Sequence, residues 1–88
     1  MNHEEFMKKA KQLVVDYTNE KVERWGNTEV LARDIFVVWS VKALGNSKVL
    51  LGAPFDDGGM YYEVTLNGDK DEIYFDAYKK QENICIEI

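Results

Sequence analysis

The spacing of apolar residues changes once along the chain, from a helical period to alternation, and that change predicts the fold. Over residues 2–25 the apolar side chains fall three or four apart. Phe6, Ala10, Leu13 and Tyr17 make one row, and Met7, Val14, Val22 and Trp25 widen it into a stripe. Asn2 followed three residues later by Glu5 is a capping-box pattern, in which the Asn side chain accepts from the N–H of the third helical residue. Lys21 and Arg24 place cations where the helix dipole favours them, and Gly26 is suited to a left-handed stop. The spacing predicts one amphipathic helix over residues 2–25.

Beyond an ambiguous stretch at 27–33, β-branched and aromatic residues crowd together. Ile35, Phe36, Val37, Val38, Trp39 and Val41 predict a strand over residues 34–44. One face would carry Ile35, Val37, Trp39, Val41 and Ala43, the other Phe36, Val38 and Leu44. A strand apolar on both faces is either central beneath two layers or buried between subunits. One helix covers one face, which favours an interface containing Phe36, Val38 and Trp39. Gly45-Asn46 is a two-residue hairpin signal leading into a strand over 47–52.

After the loop Pro54-Phe55-Asp56-Asp57-Gly58-Gly59 the alternation is clean. Met60, Tyr62, Val64 and Leu66 point one way, Tyr61, Glu63 and Thr65 the other, giving a strand over 60–66. Ile73, Phe75 and Ala77 alternate with Glu72, Tyr74 and Asp76 in a strand over 72–78. A four-residue loop at residues 67–70 keeps both apolar sets on one face, pairing Val64 with Ile73, Tyr62 with Phe75 and Met60 with Ala77. Ile84, Ile86 and Ile88 predict a last strand over 84–88. The expected fold is α+β: one N-terminal helix packed on a four- to five-stranded antiparallel meander.

Composition narrows the class. With 88 residues there is room for one domain with a thin core, which an oligomer would reinforce. Apolar residues at 45% and charged residues at 31% are the balance of an ordinary globular chain. The net charge of −5, from 11 basic and 16 acidic residues, argues against a nucleic-acid partner. No apolar run is long enough to cross a membrane and no signal-peptide pattern opens the chain, so the expected compartment is the cytoplasm. Cys85 is the lone cysteine, which excludes an intrachain disulfide and a thiolate metal site.

Candidate chemistry is sparse. His3 is the one histidine, in the first helical turn with no nucleophile to serve, and Cys85 has no other histidine to activate it. Asn67-Gly68-Asp69-Lys70-Asp71-Glu72 imitates the start of a calcium loop. Glu72 stands where the tight-turn glycine belongs, however, and the bidentate Glu at the twelfth position is missing, so a solvated hairpin turn is expected. No catalytic residue, metal site or cofactor is expected. The remaining candidates are Tyr61 and Tyr74 on the strand face away from the helix, with Asp56, Asp57, Gly58 and Gly59 in the long loop. Tyrosine rings would stack on a base and glycine N–H groups would meet a phosphate. Lys42, Lys48 or Lys70 would have to offset the chain's own negative charge. Cross-strand packing of the tyrosines, and a simple polar connection for the loop, are the structural alternatives.

Residues 1–20, MNHEEFMKKAKQLVVDYTNE, and residues 59–80, GMYYEVTLNGDKDEIYFDAYKK, resemble a family of small proteins encoded by phages and prophages of streptococci and lactococci, a domain of unknown function. The middle of the chain matches only loosely, at Val37-Val38-Trp39, and the Pro54-Phe55-Asp56-Asp57 stretch departs from the pattern. The resemblance implies a phage accessory protein and no site residues. Three readings are therefore carried forward. One is a homo-oligomer, expected to be a dimer, that sequesters a nucleotide-derived immune signal. Another is a protein-binding inhibitor of a host or defence enzyme. The third is a structural phage component.

Overall fold

The computed structural model describes residues 1–21, 29–54 and 59–88. Helix α1 spans His3–Lys21 and is capped as its sequence predicts. Asn2 Oδ1 accepts from the Glu5 N–H at 2.8 Å while Glu5 Oε1 accepts from the Asn2 N–H at 3.5 Å. Phe6, Ala10, Val14, Val15 and Thr18 are the buried face, with Met7, Leu13 and Tyr17 flanking it. The expected Val22, Arg24, Trp25 and Gly26 lie outside the described residues.

Leu31 leads into a 3-10 turn over Ala32–Asp34, closed by Asp34 Oδ2 accepting from the Leu31 N–H at 3.0 Å. This turn takes Asp34 out of the expected strand, so β1 runs Phe36–Ala43 rather than 34–44. Strands β2 (Asn46–Gly52), β3 (Met60–Asn67) and β4 (Glu72–Lys79) follow in an antiparallel meander of order β1-β2-β3-β4. The chain is thus the expected α+β fold with four strands.

Four details differ from the sequence reading. Leu44 and Gly45, both at positive φ, form the first hairpin turn instead of Gly45-Asn46. Asn46 pairs with Ala43, and its side chain accepts from the Gly68 N–H at 3.0 Å, joining the two hairpin ends. In the β3–β4 hairpin the four-residue loop is 68–71, one residue later than expected. Asn67 stays in the strand opposite Glu72, and its Oδ1 accepts from the N–H groups of Asp69 and Lys70 at 3.1 and 3.3 Å. Val64 therefore pairs with Phe75, Tyr62 with Ala77 and Leu66 with Ile73, a shift of two residues that preserves every side chain's face.

The third difference is in β1. Val37 pairs with Leu51 and Trp39 with Leu50, leaving Val38 as a bulge. The extra residue reverses the alternation beyond it, so Trp39 and Val41 share a face with Phe36 rather than with Val37. Finally, residues 84–88 form no strand; all of residues 80–88 are exposed. The Lys80 N–H still donates to the Gly59 carbonyl at 2.7 Å, so the β3–β4 ladder continues one residue past β4 before the exposed residues 81–88.

Helix α1 packs on β2 and β3. Phe6, Ala10, Val14 and Val15 meet Val49, Leu51, Tyr62, Val64 and Leu66, and Val30, Ile35 and Ala53 close the rim. Tyr17 bridges outward to β4, its ring 5.8 Å from Tyr62 and 5.3 Å from Phe75, and those two stack at 5.9 Å. Each fully buried large side chain contributes on the order of 1.5–3 kcal/mol. A single helix can supply only a few of them, and no other described element covers the far side of the sheet.

Candidate binding face

The strand registers define what that far side carries. One row across the sheet is Trp39, Leu50, Glu63 and Asp76; the next is Val41, Lys48, Thr65 and Tyr74. Beyond them Phe36 lies opposite Gly52 and Tyr61 opposite Tyr78. The Phe36 ring rests over Gly52 where a β-carbon would otherwise stand. Phe36, Trp39, Val41, Tyr61, Tyr74 and Tyr78 are each 42–52% exposed. Such exposure on one contiguous face is unusual for a monomer surface.

Charge is unevenly spread on this face. The β1 side is apolar. On the β3–β4 side Glu63 and Asp76 stand directly opposite, two like charges whose repulsion is eased by Lys48, 3.3 Å from Glu63 Oε1. Exposed pairs of this kind add little stability by themselves. Glu72 accepts a hydrogen bond from the Tyr74 hydroxyl. That bond, and then the negative charge beside the phenol, raise the Tyr74 pKa above its ordinary value.

The candidates named from sequence are only partly gathered. Tyr61 and Tyr74 do share the open face. Tyr74 lies opposite Thr65, four residues from Tyr61, or about 14 Å along the strand. The cross-strand neighbour of Tyr61 is Tyr78. Asp56, Asp57 and Gly58 lie outside the described residues. Gly59 is at positive φ, and a β-carbon there would lie 2.7 Å from Lys80 Cβ. Those two residues line a recess of about 300 Å³ with Gln81, Glu82 and Asn83. Of the three lysines expected to offset the charge, Lys48 is on the open face, Lys42 is on the helix side opposite Ser47, and Lys70 is in the β3–β4 loop. Lys80, which the sequence pattern does not single out, is a cation at the Tyr61–Tyr78 end. The shared register of the last two strands is the signal that finds it.

His3 is tilted against Phe6, ring centres 6.2 Å apart, in a packing role. Cys85 is a free, exposed thiol. Among the described residues no group of three or more His, Cys, Asp or Glu is placed to hold a metal. Also among them, no helix is long and apolar enough to cross a membrane.

The profile of a family of unknown function, DUF6275, matches residues 7–88. The chain belongs to that family. The match takes in the helix from Met7 onward, all four strands and every described residue of the open face, so the face lies within the DUF6275 domain and is not an appendage to it. No curated protein and no solved structure matches the chain.

Proposed function

We propose that this DUF6275 chain is a binding protein without chemistry of its own, and that its open sheet face docks a protein. The observation that carries this reading is the set of half-exposed apolar and aromatic side chains on one face of the sheet, Phe36, Trp39 and Val41 on β1 and Tyr61, Tyr74 and Tyr78 on β3 and β4. Four strands of seven or eight residues offer about 500 Å² in projection, within reach of one side of an ordinary protein interface. Flatness suits a macromolecule better than a small ligand, which normally sits in a cleft. Tyrosine and tryptophan are also the residues on which interface energy concentrates. The acidic side at Glu63, Glu72 and Asp76 calls for a partner with apolar residues at its centre and Lys or Arg at one margin.

The resemblance of residues 1–20 and 59–80 to small phage and prophage proteins supplies the context. In that setting the chain is an accessory protein acting in the host cytoplasm, capping a host or defence enzyme. Expression of tagged protein in such a host, followed by quantitative affinity capture, tests this. A partner held by the wild type should fall roughly tenfold or more with Trp39→Asp, as at an interface hot spot, and be unchanged with Gln12→Ala on the helix's outer side. Equal capture by both variants removes the reading.

A second reading, sequestration of a nucleotide-derived signal, draws support from one place. The Tyr61–Tyr78 pair adjoins the recess of Gly59 and Lys80, so stacking surface and a cation occur together. Native mass spectrometry of protein from signalling cells would show a bound small molecule, lost in Tyr78→Ala and Lys80→Glu but retained in Trp39→Asp.

A further inference from the structure

Among the described residues the sheet has two free edges, β1 and β4, and they are not alike. β4 carries Glu72, Asp76 and Lys79 along its length, the charged pattern that protects an edge from pairing. β1, with the sequence FVVWSVKA, has Lys42 as its one charge and is exposed at every position on both faces. A bulge at Val38 is its other protection. β1 is therefore an accessible strand edge flanked by apolar side chains.

The same chain carries a segment with the alternation of a strand that is not in the sheet. In residues 84–88 the side chains of Ile84, Ile86 and Ile88 alternate with Cys85 and Glu87, the period of a half-buried strand. All three isoleucines are exposed, from 67% upward. Leaving three β-branched side chains in water forfeits the burial that their pattern is suited to.

The two cannot meet within one chain. Strands are about 4.8 Å apart, so a strand added outside β1 would lie about 19 Å from β4. Lys80 is still held beside Gly59, at the end of β4. From Lys80 to Ile84 the chain spans at most about 14 Å. Donor and acceptor complement each other only between two molecules.

We propose that residues 84–88 are a donor strand that adds to the free edge of β1 in a second copy of the chain. Main-chain hydrogen bonds to β1 would supply the affinity, and the isoleucines would extend one apolar face of the acceptor sheet. The contact uses the edge of β1 and not its side-chain face, so it leaves the open sheet face free. It does not depend on what that face binds.

Sedimentation velocity at tens of micromolar, a concentration suited to a modest interface, tests the proposal on three proteins. These are the full chain, a chain ending at Asn83, and the full chain with Ile84→Lys and Ile86→Lys. The full chain should sediment as an assembly. Both altered proteins should sediment as single chains with unchanged circular dichroism. The double variant covers the case in which the shortened chain fails to fold. Cys85 gives an independent readout, because Val37→Cys and Val41→Cys lie on opposite faces of β1. Mild oxidation of one or the other should yield disulfide-linked pairs of chains on a non-reducing gel in excess of those from the unsubstituted chain, whose exposed Cys85 can link only to another Cys85, and the excess should vanish with Cys85→Ser. A monomeric full chain, assembly that survives the double lysine variant, or an intrachain link from Cys85 to Ala77→Cys on β4 would each overturn it.

Discussion

The carboxamide of Asn19 pairs with the main chain of Val30 through two hydrogen bonds of 2.8 Å. Nδ2 donates to the Val30 carbonyl and Oδ1 accepts from the Val30 N–H. Val30 is fully buried, so its main-chain groups have no access to water in place of these bonds. The side chain of a helix residue thus does the work of a neighbouring strand for a segment in neither helix nor sheet. Asn19→Ala should destabilise the fold by about 1–3 kcal/mol, the cost of leaving buried polar groups unpaired. Urea denaturation would measure it. Amide exchange at Val30 should accelerate more than at Val49 or Val64 in the core strands.

Leu44 sits at φ 50 in the first hairpin turn and is almost wholly exposed. A left-handed conformation costs an ordinary side chain about 1–2 kcal/mol, and asparagine much less. No burial compensates leucine here. Leu44→Asn gives the Asn-Gly pair that a turn with two positive φ angles prefers. It should stabilise the chain by about 0.5–1 kcal/mol, read as a higher denaturation midpoint at unchanged slope.

Phe36 and Gly52 form a unit across β1 and β2, the ring filling the space above the glycine. Gly52→Ala forces the ring aside and should cost about 1–3 kcal/mol in the presence of Phe36. With Phe36→Ala in place the same substitution meets no ring, and its cost should fall below about 0.5 kcal/mol. Such coupling is expected of residues in direct contact. Additive effects in the double-mutant cycle would show that the ring does not cover Gly52 in solution.

What the sequence makes legible here follows from how local each signal is. The helix, its cap and the buried positions Phe6, Ala10 and Val14 depend on residues three or four apart and are readable, whereas Val15 and Thr18, also buried, fall outside the row that the spacing draws through Leu13 and Tyr17. Strand faces in β3 and β4 were readable because parity survives a shift of two, even though the register Val64–Phe75 was not. The bulge at Val38 left no trace in the pattern. Residues 35–39 are apolar without interruption, so a reversed alternation looks the same as a continuous one. Residues 84–88 show the limit most plainly, since alternation identifies a strand but never its neighbour. In the candidate site, Tyr61 and Tyr74 were placed on the correct face. The true cross-strand neighbour of Tyr61, Tyr78, depends on the β3–β4 register, whereas Glu72 lies two residues from Tyr74 on the same strand.

Tyr74 provides a test in alkali. Its hydroxyl donates to Glu72, which holds the phenol protonated and raises its pKa. Because the folded value lies above the unfolded one, the contribution is fully present below the ordinary tyrosine value. It is lost as pH rises through the raised one. Glu72→Gln removes the carboxylate charge and the stronger acceptor. Absorbance of tyrosinate followed from pH 9 upward (a range bracketing the ordinary tyrosine value of about 10) should begin to rise at lower pH in the variant. Identical curves would mean that the Tyr74–Glu72 bond is not populated in water.

Glu63 and Asp76 set stability against binding on the open face. They are cross-strand partners of like charge, and Lys48 is engaged with Glu63 rather than with Asp76. Replacing Asp76 with lysine turns the repulsion into an attraction, worth about 0.2–1 kcal/mol for a directly opposed pair. Asp76→Lys should therefore unfold at higher denaturant than the wild type. If the face receives a partner with basic residues at its margin, the same change places a cation where an anion is needed. Association should slow at low salt, with the difference narrowing as salt is added. A variant more stable than the wild type yet poorer at capture would separate binding from folding at one residue. Unchanged capture together with raised stability would mean that the Glu63–Asp76 side of the sheet is not contacted.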